Sequence, residues 1–291
     1  HLSSQLELLG LRRTTHNMDK RKILYISQEI SPYIPSTLEG DRGHKIPQSL
    51  QERGFEVRAF MPKYGCINER RNQLHEVIRL SGMNIIIDDT DHPLIIKVAT
   101  LLPSRMQVYF IDNEDYFRHS AVKDLETHTS PEDNDERIIF YVRGVAETIK
   151  KLRWAPEVIH CSGWAAALAP LYLKKIYNDD PAIKNAKIVF SITDPNDMPA
   201  PLGDRFKEKL LMDTLTADDI TALGNDPVDF NALMRLAIEY SDAVVDAHPV
   251  ISDELTELVR ASGKPHLEFI DDVPDSGIID KYIEFYDSLK K

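Results

Sequence analysis

Cysteine is scarce. The 291-residue chain holds two, Cys66 and Cys161, too few for a disulfide framework, which makes a reducing cytoplasm the natural compartment. Long apolar runs are missing as well. None approaches the roughly 20 residues that cross a bilayer, so no membrane partner is expected. Positive charge is in deficit: 35 Lys and Arg stand against 47 Asp and Glu, a net charge of −12. Nucleic acid and anionic membranes reward clustered Lys and Arg, so nucleic acid is not an expected partner either. There is no G-x-x-x-x-G-K-[ST] loop and no G-x-G-x-x-G after the first strand, which removes the usual nucleotide cradles. Neither H-E-x-x-H nor a paired C-x-x-C occurs, so no zinc site is expected, and no G-x-S-x-G elbow is present. No cofactor is expected.

What is present reads as a soluble globular chain, 42% apolar and 28% charged. Its length would bury roughly 75% of the extended-chain surface. The first methionine is Met18, and His1 to Asn17 carry scattered leucines without a signal-peptide core. Residues 1–21 are read as an extension outside the fold, a docking helix being the other reading, and residues 22–291 as one domain.

The periodicity alternates strand and helix. Ile23 to Ile26 suits a buried strand, Ser31 to Pro35 a loop, and the stretch around Ile46 and Leu50 a helix stopped by Gly54. Phe55 to Phe60 completes a βαβ unit. Four strand-like runs follow between about 74 and 111: Val77–Leu80, Ile85–Ile87, Leu94–Val98 and Gln107–Phe110. They predict an antiparallel insertion. Ser130 with Pro131 and Asp133 predicts a capped helix with Ile138, Val142, Val145, Ile149 and Leu152 on one stripe. Further along come a strand at Glu157–His160, a helix from Trp164 to Ile176 and a strand at Lys187–Ile192. Then follow a helix opened by Asp226 and Pro227, a strand at Ala243–Val245, and a helix from Ser252 to Gly263. A final helix spans about 278–289. The expected fold is α/β: a doubly wound, Rossmann-like parallel sheet with a β insertion.

In such sheets ligands bind beyond the carboxyl ends of the strands. That directs attention to the loops Ser27–Gly43, Cys161–Trp164, Thr193–Gly203 and Asp246–Val250. The acidic run Asp88 to His92 lacks the spacing of a calcium loop and reads as a polar hairpin turn. His160 and Cys161 are neighbours on a strand and point to opposite faces, so they do not form a nucleophile pair easily. Cys161 is then either a buried structural cysteine or a thiol activated near a helix N-terminus.

Ile26-Ser27-Gln28-Glu29-Ile30-Ser31-Pro32-Tyr33, with Ile46-Pro47-Gln48-Ser49-Leu50 and Gly54-Phe55-Glu56-Val57-Arg58, resembles the opening of ADP-glucose-dependent glycogen and starch synthases. So do Met61-Pro62-Lys63-Tyr64-Gly65, Asp133-Asn134, Arg137, and the run from Val158 through Trp164 to Leu173. The resemblance runs from Lys22 to about Ile192 and implies the N-terminal half of a GT-B glycosyltransferase. Such enzymes add glucose to the end of an α-1,4-glucan, the N-terminal half receiving the acceptor and the C-terminal half most of the nucleotide sugar.

The departures bear on activity. A complete enzyme of this kind needs a second domain, and this sequence stops at Lys291. The family's Lys-Thr-Gly-Gly-Leu loop falls on Pro35-Ser36-Thr37-Leu38-Glu39, its His-Asp-Trp-His on Ser162-Gly163-Trp164-Ala165, and its Thr-Ile-His-Asn on Ser191-Ile192-Thr193-Asp194. Losing one transition-state donor costs about 3–4 kcal/mol, so no catalytic residue and no metal ligand are expected. The resemblance implies saccharide contacts at Glu29, Tyr33, Asp41, Asp133, Asn134, His160 and Trp164, with Tyr64 a second possible stacking ring. Structural roles stand beside each: helix cap for Asp133, ion pair for Arg137, core packing for His160, Trp164 and the tyrosines. The expected function is a catalytically silent glucan-binding or regulatory homologue. The alternatives are half of a split transferase completed by a protein partner, or a small-molecule enzyme using Cys161.

Overall fold

The computed structural model describes residues 20–117, 131–225 and 227–290. The expected N-terminal extension and the Ser130 and Asp226 caps lie outside these residues, apart from the last two positions of the extension.

Strand β1 (Lys22–Ser27) is buried on both faces, as a central strand of a doubly covered sheet must be. It is followed by α1 (Leu38–Glu52) and β2 (Glu56–Pro62). Next come β3 (His75–Glu76), the hairpin β4 (Asn84–Ile87) and β5 (Thr90–Pro93), then β6 (Ile95–Leu101) and β7 (Met106–Asp112). The short α2 (Glu114–Phe117) and the long α3 (Asn134–Leu152) lead to β8 (Val158–Ser162), α4 (Ala169–Lys175) and β9 (Lys187–Ile192). The chain ends with α5 (Phe206–Leu211), α6 (Phe230–Glu239), β10 (Ala243–Asp246), α7 (Asp253–Ser262), β11 (His266–Leu267) and α8 (Ile278–Ser288).

Nine strands form one sheet in the order β11-β10-β9-β8-β1-β2-β7-β6-β3. All neighbours from β11 to β7 run parallel, while β6 and β3 pair antiparallel at the edge. Alternation along β1 divides the core. Leu24 and Ile26 face α3, α4, α5, α6 and α7, whereas Ile23 and Tyr25 face α1 and α8. The strand order reverses between β1 and β8, which makes their carboxyl ends the topological switch point.

Three expectations are corrected. Val77–Leu80 is not a strand: pairing with β6 stops after Glu76, and Ile78–Leu80 is a 3-10 turn. The Ser81 hydroxyl takes the Ile96 N–H at 3.0 Å, replacing the carbonyl that a continued ladder would have offered. The insertion is also smaller than expected, because its last strand, β7, pairs parallel with β2 and belongs to the main sheet. Trp164 to Ile176 is not one helix. Trp164–Ala166 forms a 3-10 turn, and α4 starts at Ala169 with Pro170 in its first turn, where a missing N–H does no harm. The Asp88-Asp89 turn behaves as read: both residues have positive φ (50° and 63°), as a two-residue type I′ hairpin requires. The cap of α6 is Asp229, which accepts the Ala232 N–H at 2.9 Å.

Candidate functional site

Register places two polar rungs on the same face of β1, β8 and β9. Tyr25 lies opposite His160, and His160 opposite Val189; two residues on, Ser27, Ser162 and Ser191 align at the carboxyl ends. The lower rung is closed. His160 stacks on Tyr25 at 5.0 Å. Its Nδ1 lies 2.6 Å from the Tyr286 hydroxyl and its Nε2 2.5 Å from Ser191 Oγ. Tyr286 also meets the Tyr25 hydroxyl at 2.5 Å. Burial, with the nearby Arg42 charge, pulls the His160 pKa from 6.5 down to about 3, so the ring is neutral. Cys161 faces the opposite core at 0% exposure, and burial pushes its thiol well up. This removes the support for a thiolate nucleophile at that position.

The upper rung is covered by the start of α1. Thr37 caps the helix, accepting the Gly40 N–H at 2.9 Å and donating to Glu29 Oε2 at 2.8 Å. Asp41 accepts from Ser31 at 2.7 Å and Ser36 at 2.6 Å, tying the loop to the helix. The helix lies close on the loop that leaves β1: a Cβ at Gly43 would sit 2.5 Å from the Glu29 carbonyl oxygen. Gly163, with φ of 90°, is equally constrained, since a Cβ there would meet Gln28 Oε1 and Glu39 Oε1 at 2.5 Å.

Glu39 is 8% exposed, and neither carboxyl oxygen makes a hydrogen bond of normal geometry, although Ser162 and Asp197 face it. Burial first, then the Glu29 and Asp197 carboxylates, raise its pKa well above 4.5. Carboxyl oxygens of Glu29, Glu39 and Asp197 all lie within 4.8 Å of one another. A cavity of about 30 Å³ opens beside them, lined among others by Ser27, Glu29, Glu39, Arg42, His160 and Ser162.

The expected contacts on α3 adjoin this edge. Arg137 donates to the Tyr116 carbonyl at 2.9 Å and to Asn134 Oδ1, and lies 4.0 Å from Asp133. Tyr64 donates to the Gln28 carbonyl at 2.9 Å and Tyr141 to the Ser27 carbonyl at 2.7 Å, which fastens this group beside the end of β1. Tyr33 is 6% exposed, edge-on to Phe110 at 4.9 Å, and burial pushes its hydroxyl up to about 12. Trp164 is 7% exposed. Glu29, Asp41, Asp133, Asn134 and Trp164 therefore gather at the switch-point edge, and Tyr33 and His160 lie in the layer beneath. Sequence reasoning did not select Ser27 or Asp197 as site residues, and treated Glu39 only as a lost glycine-loop position. A polar residue closing each of three apolar strands was the available signal for Ser27, Ser162 and Ser191. For Asp197 the signal was its place in the carboxyl-end loop Thr193–Gly203.

A Rossmann-like sheet with its crevice at the β1/β8 switch point defines one domain of the GT-B glycosyltransferase fold. The family model described as the starch synthase catalytic domain matches residues 22–267. The chain belongs to that family. The glycogen synthase of Chlorobium chlorochromatii (strain CaD3) is 42% identical over 172 residues, 59% of this chain and 35% of that protein. The glycogen synthase of Chlorobium phaeovibrioides (strain DSM 265 / 1930) is 34% identical over 236 residues, 81% of this chain and 47% of its own length. The catalytic domain of starch synthase IV from Arabidopsis thaliana, solved with ADP and acarbose, superposes with a TM-score of 0.69 at 17% identity. That superposition covers 89% of this chain and 53% of the solved one. The chain thus spans about half, or less, of the length of these relatives. No helix among the described residues is long and apolar enough to cross a membrane.

Proposed function

We propose that this chain supplies the acceptor side of a glucosyltransferase scaffold, binds an α-glucan or similar saccharide, and does not itself transfer glucose from ADP-glucose. The observation that carries the reading is the state of the first turn of α1. A helix N-terminus receives a diphosphate through free N–H groups and positive dipole. Here Thr37 already takes the Gly40 N–H, Leu38 stands at the first helical position where the family has glycine, and Glu39 lies close to Glu29 and Asp197. The cavity of about 30 Å³ beside them has room for one or two waters. Glu29, Asp41, Asp133 and Asn134 offer the acceptor and donor groups that sugar hydroxyls use, with Trp164 at the same edge. Tyr33 and His160 shape the floor below them. The natural setting of this reading is the cytoplasm.

Calorimetric titration with maltooligosaccharides and, separately, ADP-glucose tests both halves of the reading, together with transfer of labelled glucose to glycogen. Saturable heat from the glucan and neither heat nor incorporation from ADP-glucose is expected. Incorporation, or heat from ADP-glucose alone, reverses it. A second reading is favoured by the relatives, which continue well beyond the matched segment: a C-terminal half, on the same polypeptide or on a protein partner, completes the cleft. Under that reading, the presence of such a half restores transfer.

A further inference from the structure

We propose that the switch-point crevice is a binding site for one hard divalent cation of calcium size, held by the carboxylates of Glu29, Glu39 and Asp197. This goes beyond the saccharide reading and does not rest on it. Three elements converge to make the site: the loop after β1, the first turn of α1, and the loop after β9.

Acidic side chains often cluster without a ligand, so the polar atoms around them decide the matter. Ser27 Oγ opens onto the same cavity, is on a residue 2% exposed, and has no hydrogen-bond partner among the described residues. Both Glu39 oxygens are buried without a hydrogen bond of normal geometry, facing Ser162 and Asp197. A protein rarely leaves several buried polar atoms unsatisfied in one place, because each costs about 1–3 kcal/mol. A proton shared between Glu39 and Asp197 would satisfy part of this set and leave the Ser27 hydroxyl as it is. A cation satisfies the carboxylates and the hydroxyl together.

The donor chemistry selects the ion. The three carboxylates, the Ser27 hydroxyl and Gln28 Oε1, close beside Glu39 across Gly163, offer oxygen, while the Arg42 guanidinium on the same cavity wall is engaged by the Ile270 carbonyl at 2.9 Å and the Tyr282 hydroxyl at 3.3 Å. Such a set suits calcium or magnesium and not a thiolate- or imidazole-seeking metal. Size then separates the two. Opposed ligands of calcium stand about 4.6–5.2 Å apart, twice a bond of about 2.3–2.6 Å. The carboxyl oxygens lie within 4.8 Å of one another, so one calcium ion can reach all three. Magnesium, at about 2.0–2.1 Å per bond, demands near-ideal octahedral geometry and gives up its waters reluctantly, so it binds more weakly to such a set. The acidic run Asp88 to His92 is not a rival: Asp88 and Asp89 form the hairpin turn, Asp88 is paired with Arg205 at 2.7 Å, and His92 is buried in β5 against Asp115 and Tyr116.

Chelator-treated full-length protein is titrated with CaCl2 and with MgCl2 by calorimetry at pH 7.5. One saturable calcium site below about 1 mM is expected, with magnesium weaker. Glu39→Gln keeps the size and shape of the side chain, and should lose at least about tenfold in calcium affinity with an unchanged circular dichroism spectrum. Asp197→Asn, at an exposed position, gives the same loss without a folding risk, and Glu76→Gln on the far edge strand leaves binding unchanged. No saturable binding of either ion up to about 10 mM, or wild-type affinity in both Glu39→Gln and Asp197→Asn, overturns the proposal.

Discussion

The rung of Tyr25 and His160 and the rung of Ser27, Ser162 and Ser191 are two residues apart on the same strands, yet they solve the problem of buried polarity in opposite ways. In the lower rung every ring nitrogen and hydroxyl finds a protein partner: His160, Tyr25, Tyr286 and Ser191 close on one another. In the upper rung the Ser27 hydroxyl and the Glu39 carboxyl do not. The first arrangement is what a core needs, since a satisfied buried network rigidifies and specifies a single packing. The second is what a site needs, since its unsatisfied atoms define the ligand that would complete them. Resemblance to a glucosyltransferase singles out His160 in the first group; the geometry shifts the chemical interest to Glu39 in the second.

The largest effect should come from breaking the closed rung. His160→Ala removes a buried ring and strands the Tyr286 and Ser191 hydroxyls. Chemical denaturation should show a loss of roughly 3–5 kcal/mol. A change below about 1 kcal/mol with abolished glucan binding would instead make His160 a ligand contact. The same residue gives the wild-type protein a defined acid sensitivity. Its folded pKa is about 3 against 6.5 in the unfolded chain. Between those values the unfolded state holds a proton that the folded state refuses, so stability falls as pH drops through this window. The fall approaches on the order of 4 kcal/mol at pH 3, and the Ala variant lacks it.

Gly163→Ala strikes where the two groups meet. The residue sits at φ of 90°, and an added Cβ would collide with Gln28 and Glu39 at 2.5 Å. A loss of about 2–3 kcal/mol is expected, accompanied by altered calcium binding, because Glu39 must move. Unchanged stability would mean that the Glu39 side chain is free to swing away and that the crevice does not confine it.

How much of this contrast was legible in the sequence follows from the range of the interactions. Local signals did well: β9 falls on Lys187–Ile192 as read, and Ser252 and Gly263 bound α7 as cap residues should. The carboxyl-end loops were found because alternating strands and helices impose a parallel sheet, whose ligand edge is then fixed. The Val77–Leu80 error came from a side chain, Ser81, doing the work of a backbone carbonyl, which propensity does not register. For the site, the resemblance to synthases drew attention to Glu29 and Asp41, yet Asp197 meets Glu39 only through folding. The pattern of the last stretch pointed to a final helix without showing that its Tyr286 meets His160.

The smallest effect is also the most discriminating, because its sign opposes that of every other substitution in the crevice. Glu39 keeps its proton in the fold well above the 4.5 at which the unfolded chain gives it up. Above that pH the folded state binds more protons than the unfolded one, so stability declines as pH rises. Glutamine holds the neutral shape at every pH and escapes the decline. Without divalent cations, Glu39→Gln should match wild type near pH 4 and exceed it by about 1 kcal/mol at pH 5.5, read as a higher Tm. Millimolar calcium at pH 7.5 should then raise the Tm of the wild type and leave the variant where it was, since only the wild type gains a bound ion on folding. If the variant is less stable than wild type throughout and calcium moves neither, Glu39 is an ordinary packed side chain, and the two rungs do not differ in kind.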